Sequence, residues 1–170
     1  FNARVAECHE AASLLQPGAW RLADVPPEVY AANQARLPEN LRRRAAHFYT
    51  EQERVRQGAR AWQQADLEGF GALMNQSCAS SISNYESGSP ILVELHELVS
   101  SMPGVYGSRF SGGGYGGCVV ALSNREQAGD AARQIEETFR ARHPELPSRV
   151  FVAEMGDGLA FSLSVREANR

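Results

Sequence analysis

The run Gly104-Val105-Tyr106-Gly107-Ser108-Arg109-Phe110-Ser111-Gly112-Gly113-Gly114-Tyr115-Gly116-Gly117-Cys118 decides how the chain is read. Before it, apolar residues recur at helical intervals. From Val105 onward the pattern is that of strands. Val105–Phe110 and Cys118–Leu122, rich in aromatic and β-branched residues, are predicted to be neighbouring strands. Between them, five glycines fall within the six residues 112–117. Gly112, Gly114 and Gly117 satisfy a G-x-G-x-x-G spacing, but the dinucleotide fingerprint needs a helix after the glycines, and here a strand follows. Glycine permits positive φ and close approach of a backbone or a ligand. Successive amides without side chains also form nests for anionic oxygens. The segment alone leaves a tight bend and an anion-binding loop equally open. Arg109 is a surface residue of an edge strand or a second anion ligand. Cys118 is expected to open a buried strand as a core thiol.

Upstream, the chain reads as helices. Val5, Cys8, Ala12 and Leu15 share a face, and Pro17-Gly18 ends that helix. A short helix follows Pro26-Pro27. The longest helix is predicted from Pro38 to about Gln64, with Leu41, Ala45, Phe48, Val55, Ala59 and Trp62 on its apolar face and Gln52 the one polar intruder. Arg42, Arg43 and Arg44 fall largely off that stripe and read as a solvated face. Asp66 is the expected N-cap of a helix burying Leu67, Phe70, Leu73, Met74 and Cys78. Ser80–Gly88, including Tyr85 and Glu86, reads as an ordered polar loop, a place where function and ordinary turn chemistry both collect. Ser89-Pro90 restarts a helix carrying Ile91, Leu92, Leu95, Leu98 and Val99.

Downstream, Asn124 with Gln127 forms a capping-box pattern ahead of a helix striped by Ala128, Ala131, Ile135 and Phe139. Val150–Ala153 and Leu159–Leu163 are predicted as two further strands around Gly156-Asp157-Gly158. The expected fold is α+β: a ferredoxin-like antiparallel sheet of about four strands packed with several helices. Residues 1–170 read as a single domain, mainly helical over 1–101 and sheet-forming over 102–165.

Composition narrows the chemistry. The 170 residues carry a net charge of −3, near enough to balance that no nucleic-acid partner is expected. No apolar run approaches the ~18 residues of a membrane span. All 17 basic residues are arginines, which excludes a Walker A lysine, a Schiff base or a kinase strand lysine in this chain. Cys8, Cys78 and Cys118 are odd in number and widely spaced, so reduced thiols in a cytoplasmic protein are expected. His9, His47, His96 and His143 have no ligand-type spacing, and no metal site is expected.

The glycine-rich run resembles the third signature motif of galactokinases, in the superfamily of galacto-, homoserine, mevalonate and phosphomevalonate kinases. Asn2-Ala3-Arg4, Glu7-Cys8, Ala11-Ala12, Arg44-Ala45-Ala46-His47, Glu53-Arg54-Val55 and Phe70-Gly71-Ala72-Leu73-Met74 extend the resemblance along almost the whole chain. Ser80–Gly88, Ala61-Trp62 and Arg109-Phe110-Ser111 look closer to the galacturonokinase branch. The resemblance implies the C-terminal domain of an ATP-dependent sugar-1-kinase acting on galactose or galacturonate. It implies ATP contacts at Ser111, Gly112, Gly113, Gly114, Tyr115, Gly116 and Gly117, with Tyr85, Arg109 and Phe1 as sugar-side candidates. Phe1 stands where galactokinases usually place a Tyr near the sugar, so a hydroxyl is lost there. The family's sugar motif, ATP loop and catalytic Asp belong to an N-terminal half that this chain lacks. That half is expected to bind most of the ATP and Mg²⁺, to be the domain's partner beside the sugar, and to leave this chain inactive alone. A non-catalytic sugar or nucleotide sensor derived from the same family, and a free-standing small-ligand domain, are the competing expectations.

Overall fold

The computed structural model describes residues 2–154 and 156. Among these residues six α-helices flank one hairpin: α1 (Asn2–Leu15), α2 (Pro27–Asn33), α3 (Glu39–Gln63), α4 (Leu67–Ser83), α5 (Pro90–Ser100), β1 (Val105–Ser111), β2 (Cys118–Ser123) and α6 (Ala128–Arg142), with short 3-10 turns at Leu22–Asp24 and Gln34–Arg36. Among the described residues, no helix is long and apolar enough to cross a membrane.

Local chemistry sets most of the boundaries. Asp66 Oδ1 accepts the Gly69 N–H at 2.8 Å and starts α4 as expected. Ser89 caps α5, with Pro90 at its first position. The capping box at α6 does not form. Asn124 Oδ1 instead accepts the Glu126 N–H at 2.8 Å and closes a turn, and α6 begins at Ala128 with no side-chain cap. The Gln127 side chain is held against Gly104, where an added Cβ would lie 2.4 Å from Gln127 Oε1. The polar segment from Ser80 is also shorter as a loop than expected. Ser81 and Ser83 hydroxyls donate to the Ser77 and Ala79 carbonyls four residues back, so the serines are absorbed into α4 and only 84–88 remains a turn.

Two cores result. Ala11, Ala12 and Leu15 of α1 pack with Leu41 and Ala45 of α3. Leu41 is 1% exposed, and burial of such a side chain contributes about 2 kcal/mol. Leu98, Val99, Ile135 and Phe139 form the second core, between α5 and α6. The predicted stripe on α3 holds only at its N-terminal end: Val55 and Trp62 are 63% and 45% exposed. Here α4 meets α3 along Gly58 and Ala61, so the buried face slides round the helix between the end covered by α1 and the end covered by α4.

The two strands are antiparallel neighbours, with Arg109 opposite Val120 and Ser111 opposite Cys118. Of the four strands expected, the described residues contain these two. Val150–Ala153 is no strand; it makes no ladder, and Val150 packs on the α5–α6 core instead. Leu159–Leu163 lies outside the described residues. Cys118 is exposed rather than core, because β2 has only Val119, Leu122 and Ser123 even half-buried.

Helix α4 lies directly on β1. A Cβ on Gly107 would come within 1.9 Å of the Gly71 carbonyl oxygen, and one on Gly71 within 2.3 Å of the Tyr106 carbonyl oxygen. The same contact lets Asn75 Oδ1 accept the N–H of fully buried Ser108 at 2.9 Å. Ser108 Oγ in turn hydrogen-bonds His96 Nδ1 at 2.7 Å and Ser100 Oγ at 2.8 Å, tying β1 to α5. Burial lowers the His96 pKa, which keeps the ring neutral between these hydroxyls. Neither glycine can gain a side chain without separating helix from strand. Gly107→Ala is expected to cost about 3 kcal/mol, the upper end for overpacking, read as the shift in a urea unfolding midpoint.

Candidate functional site: the glycine loop and its support

The loop between β1 and β2 is built of glycines with different roles. Gly112, Gly114 and Gly117 have φ of +89°, +79° and +103°. At Gly114 the backbone is packed: a Cβ would lie 2.9 Å from both Gly88 N and the Phe110 ring, and the Gly114 carbonyl accepts the Ser89 N–H at 2.7 Å. Gly112 and Gly116 have nothing within 4 Å of a Cβ, and Gly117 has only the Ser111 carbonyl oxygen at 3.8 Å. The bend reading therefore holds at Gly114, while Gly112, Gly116 and Gly117 are exposed backbone beside open space. Ser111, Gly113 and Tyr115 are exposed as well.

Beneath the loop is the turn of residues 84–88. Tyr85 is half-buried, its ring tilted against His47 at 5.1 Å and its hydroxyl 4.0 Å from the Cys8 thiol. Burial, with the Cys8 thiol and the Tyr115 hydroxyl nearby, pushes its phenol up to about 12. Tyr85 is thus neutral and sits within electrostatic reach of the loop. Arg109 is not brought to it. Its guanidinium lies 3.4 Å from Glu51, and its Nε donates to the Phe110 carbonyl at 3.3 Å. With Arg54, Ser77, Phe70 and Leu73 it lines a groove of about 290 Å³ beside α3 and α4. Burial raises the Glu51 pKa, but a 2.6 Å bond from Ser77 and the Arg54 and Arg109 charges hold it below the usual carboxylate value. Phe1 lies outside the described residues. Among the described residues no three His, Cys, Asp or Glu side chains converge as a metal site would require.

A solvated face is what the sequence predicts for the three arginines of α3, and this holds for Arg42 but fails for Arg44. Arg44 is 1% exposed and donates in three directions: to Glu7 Oε2 at 2.6 Å, to the Asn84 carbonyl at 2.6 Å and to Glu86 Oε2 at 2.7 Å. Arg4 bridges the same two carboxylates at 3.1 and 2.9 Å, and Arg43 pairs with Glu86. The available signal was position: Arg44 follows Leu41 by three residues and abuts Ala45, at the edge of the buried face. Its hydrogen bond holds Glu7 below the usual carboxylate value of 4.5, and does the same for Glu86.

These depressed values fix a sign. The two carboxylates stabilise the fold fully above about pH 4.5, where they are ionised in both states, and that stabilisation is lost as pH falls through their lower folded values. Arg44→Met is expected to cost about 3 kcal/mol at neutral pH, the low end for a broken buried pair because both carboxylates keep Arg4 and partial solvent. Melting temperatures between pH 7 and pH 3 should fall more steeply for the wild type than for this variant.

Comparison with known proteins places the chain in a family. The family model described as GHMP kinases C terminal matches residues 55–141, from the exposed end of α3 through the hairpin to α6. Galacturonokinase of Arabidopsis thaliana is 37% identical over 169 residues, spanning 92% of this chain and 40% of that protein. Galactokinase of Roseiflexus sp. (strain RS-1) is 41% identical over 143 residues, spanning 82% of this chain and 34% of that protein. The solved structure of Lactococcus lactis galactokinase complexed with galactose superposes with a TM-score of 0.80 at 30% identity, over 92% of this chain and 41% of that one. The chain therefore spans about two fifths or less of the length of these relatives. The match over residues 55–141, more than half of the chain, makes the chain a member of the C-terminal domain family of the galacto-, homoserine, mevalonate and phosphomevalonate kinases.

Proposed function

We propose that this chain is the phosphate-closing part of a cytoplasmic, ATP-dependent sugar-1-kinase acting on galactose or galacturonate. The observation that carries the reading is the split character of the glycine loop. Gly114 fixes it from below, which leaves Gly112, Gly116 and Gly117 exposed beside open space. Such amides suit phosphate oxygens, since no Cβ keeps the ligand at a distance. In the proposed reaction the anomeric hydroxyl oxygen forms the new bond to the γ-phosphorus, the bond to the β–γ bridging oxygen breaks, and ADP leaves. Mg²⁺ bound with the nucleotide would neutralise phosphate charge, and the hydroxyl proton would pass to the catalytic Asp expected in the N-terminal half.

The residues of this chain have a positioning and stabilising role in that scheme. Ser111–Gly117 forms the wall over the triphosphate and donates N–H groups to it. Tyr85, its hydroxyl 4.0 Å from the Cys8 thiol, lies in the turn leading to Gly88 and Ser89, on which the loop rests, and is a sugar-side candidate of this chain. Arg109 is occupied by Glu51 and shapes the neighbouring groove.

Two measurements test this. The purified chain alone is expected to give no sugar-dependent ADP release with galactose or galacturonate. In the full-length polypeptide, Gly116→Val adds a side chain where nothing lies within 4 Å, and the residue has no positive φ to strain. It should lower kcat/KM for ATP at least about tenfold, equivalent to about 1.4 kcal/mol, with the melting temperature nearly unchanged. Near-normal kinetics in the folded variant rejects the phosphate role. Gly114→Val does not serve as this test, because it strikes Gly88 and Phe110 and lowers stability first.

A further inference from the structure

The open glycines are held in place by something outside the hairpin. The Gly114 carbonyl accepts the Ser89 N–H, and Gly88 N stands 2.9 Å from where a Gly114 Cβ would be. The loop therefore rests on residues 88 and 89. Those residues are fixed in turn: the Ser87 N–H and hydroxyl both donate to the Ser81 carbonyl, at 3.0 and 3.1 Å. One residue earlier stands Glu86, with φ of +52°, a conformation that non-glycine residues seldom adopt. Glycine would occupy it with less strain. What Glu supplies there is a carboxylate, and it meets three guanidinium groups, Arg4, Arg43 and buried Arg44.

We propose that Glu86 is a positioning residue for the glycine loop: the Arg44–Glu86 pair locks the 84–88 turn, and that turn sets where the amides of Gly112, Gly116 and Gly117 lie. Because Arg44 also holds Glu7 on α1, the first helix and the loop share one electrostatic anchor. The catalytic consequence rests on the phosphate reading of the loop, whereas the mechanical coupling does not.

Glu86→Gly separates this from an ordinary turn role. It removes the carboxylate and relieves the positive φ together, so a residue needed only to form the turn is replaced without loss. Hydrogen–deuterium exchange resolved to the Ser89 amide, and steady-state kinetics, are measured on the full-length polypeptide. The expected result is exchange at Ser89 at least about tenfold faster, with α6 unaffected, and a rise of similar size in ATP KM with sugar KM unchanged. If the glycine variant does not fold, Glu86→Gln, which removes the charge and keeps the shape, carries the same readouts. Unchanged Ser89 exchange in a folded variant overturns the positioning role. So do normal ATP kinetics in Glu86→Gly beside an impaired Gly116→Val. Faster Ser89 exchange with normal ATP kinetics in both variants keeps the coupling and overturns the phosphate reading instead.

Discussion

Among the described residues, one buried cation ties the first helix, the long helix and the 84–88 turn together. The Arg44 guanidinium lies inside the protein, and a charge there is tolerated only if its donors are satisfied. The acceptors come from three separate places: Glu7 on α1, the Asn84 carbonyl and the Glu86 carboxylate. A planar guanidinium can donate to all three at once from its rigid fork; an ammonium would supply a point charge without that geometry. Displacing α1 or the 84–88 turn leaves part of the cation unpaired, so the two are fixed relative to α3 together. The hydrophobic packing of α1 on α3 does not by itself specify where the turn sits.

Close backbone approach is the second constraint, and it acts where the first leaves off. Gly71 against Gly107 brings α4 onto β1, and Gly88 against Gly114 brings the loop onto the turn. In both places the absence of a Cβ allows backbone to touch backbone. The first contact orders the hairpin through Asn75 and Ser108, and the second holds the tip of the hairpin against Gly88 and Ser89. The loop is therefore a few exposed amides resting on closely packed backbone.

Much of this was legible in the residues. Asp66 and Ser89 announce their helices because a capping side chain acts on amides two or three positions away, entirely within reach of local sequence. The neighbouring strands β1 and β2 follow from the change of period and the intervening glycines, and the motif at 104–118 carries the family resemblance. The failures share one cause. Asn124 and Gln127 have the spacing of a capping box, but Gln127 is drawn to Gly104, twenty-odd residues back. Val55 and Trp62 have the spacing of a core stripe, but among the described residues only the edge of α4 reaches them, through Phe70 against Trp62, and both stay exposed. Cys118 opens a strand with a core-like composition, yet packing on β2 leaves it exposed.

The sequence by itself determined the helices, the hairpin, the absence of any lysine chemistry and the position of the glycine loop, because each depends on residues within a few positions of one another. Tertiary structure decided which glycines are packed and which are open, since Gly114 and Gly116 are indistinguishable until Gly88 is brought beneath one of them. It decided that Arg109 faces Glu51, 58 residues away in sequence. It also decided that Arg44, one of three adjacent arginines, is the buried one. Neighbours on a helix point in different directions, and only the approach of α1 and the 84–88 turn selects which direction is the inside.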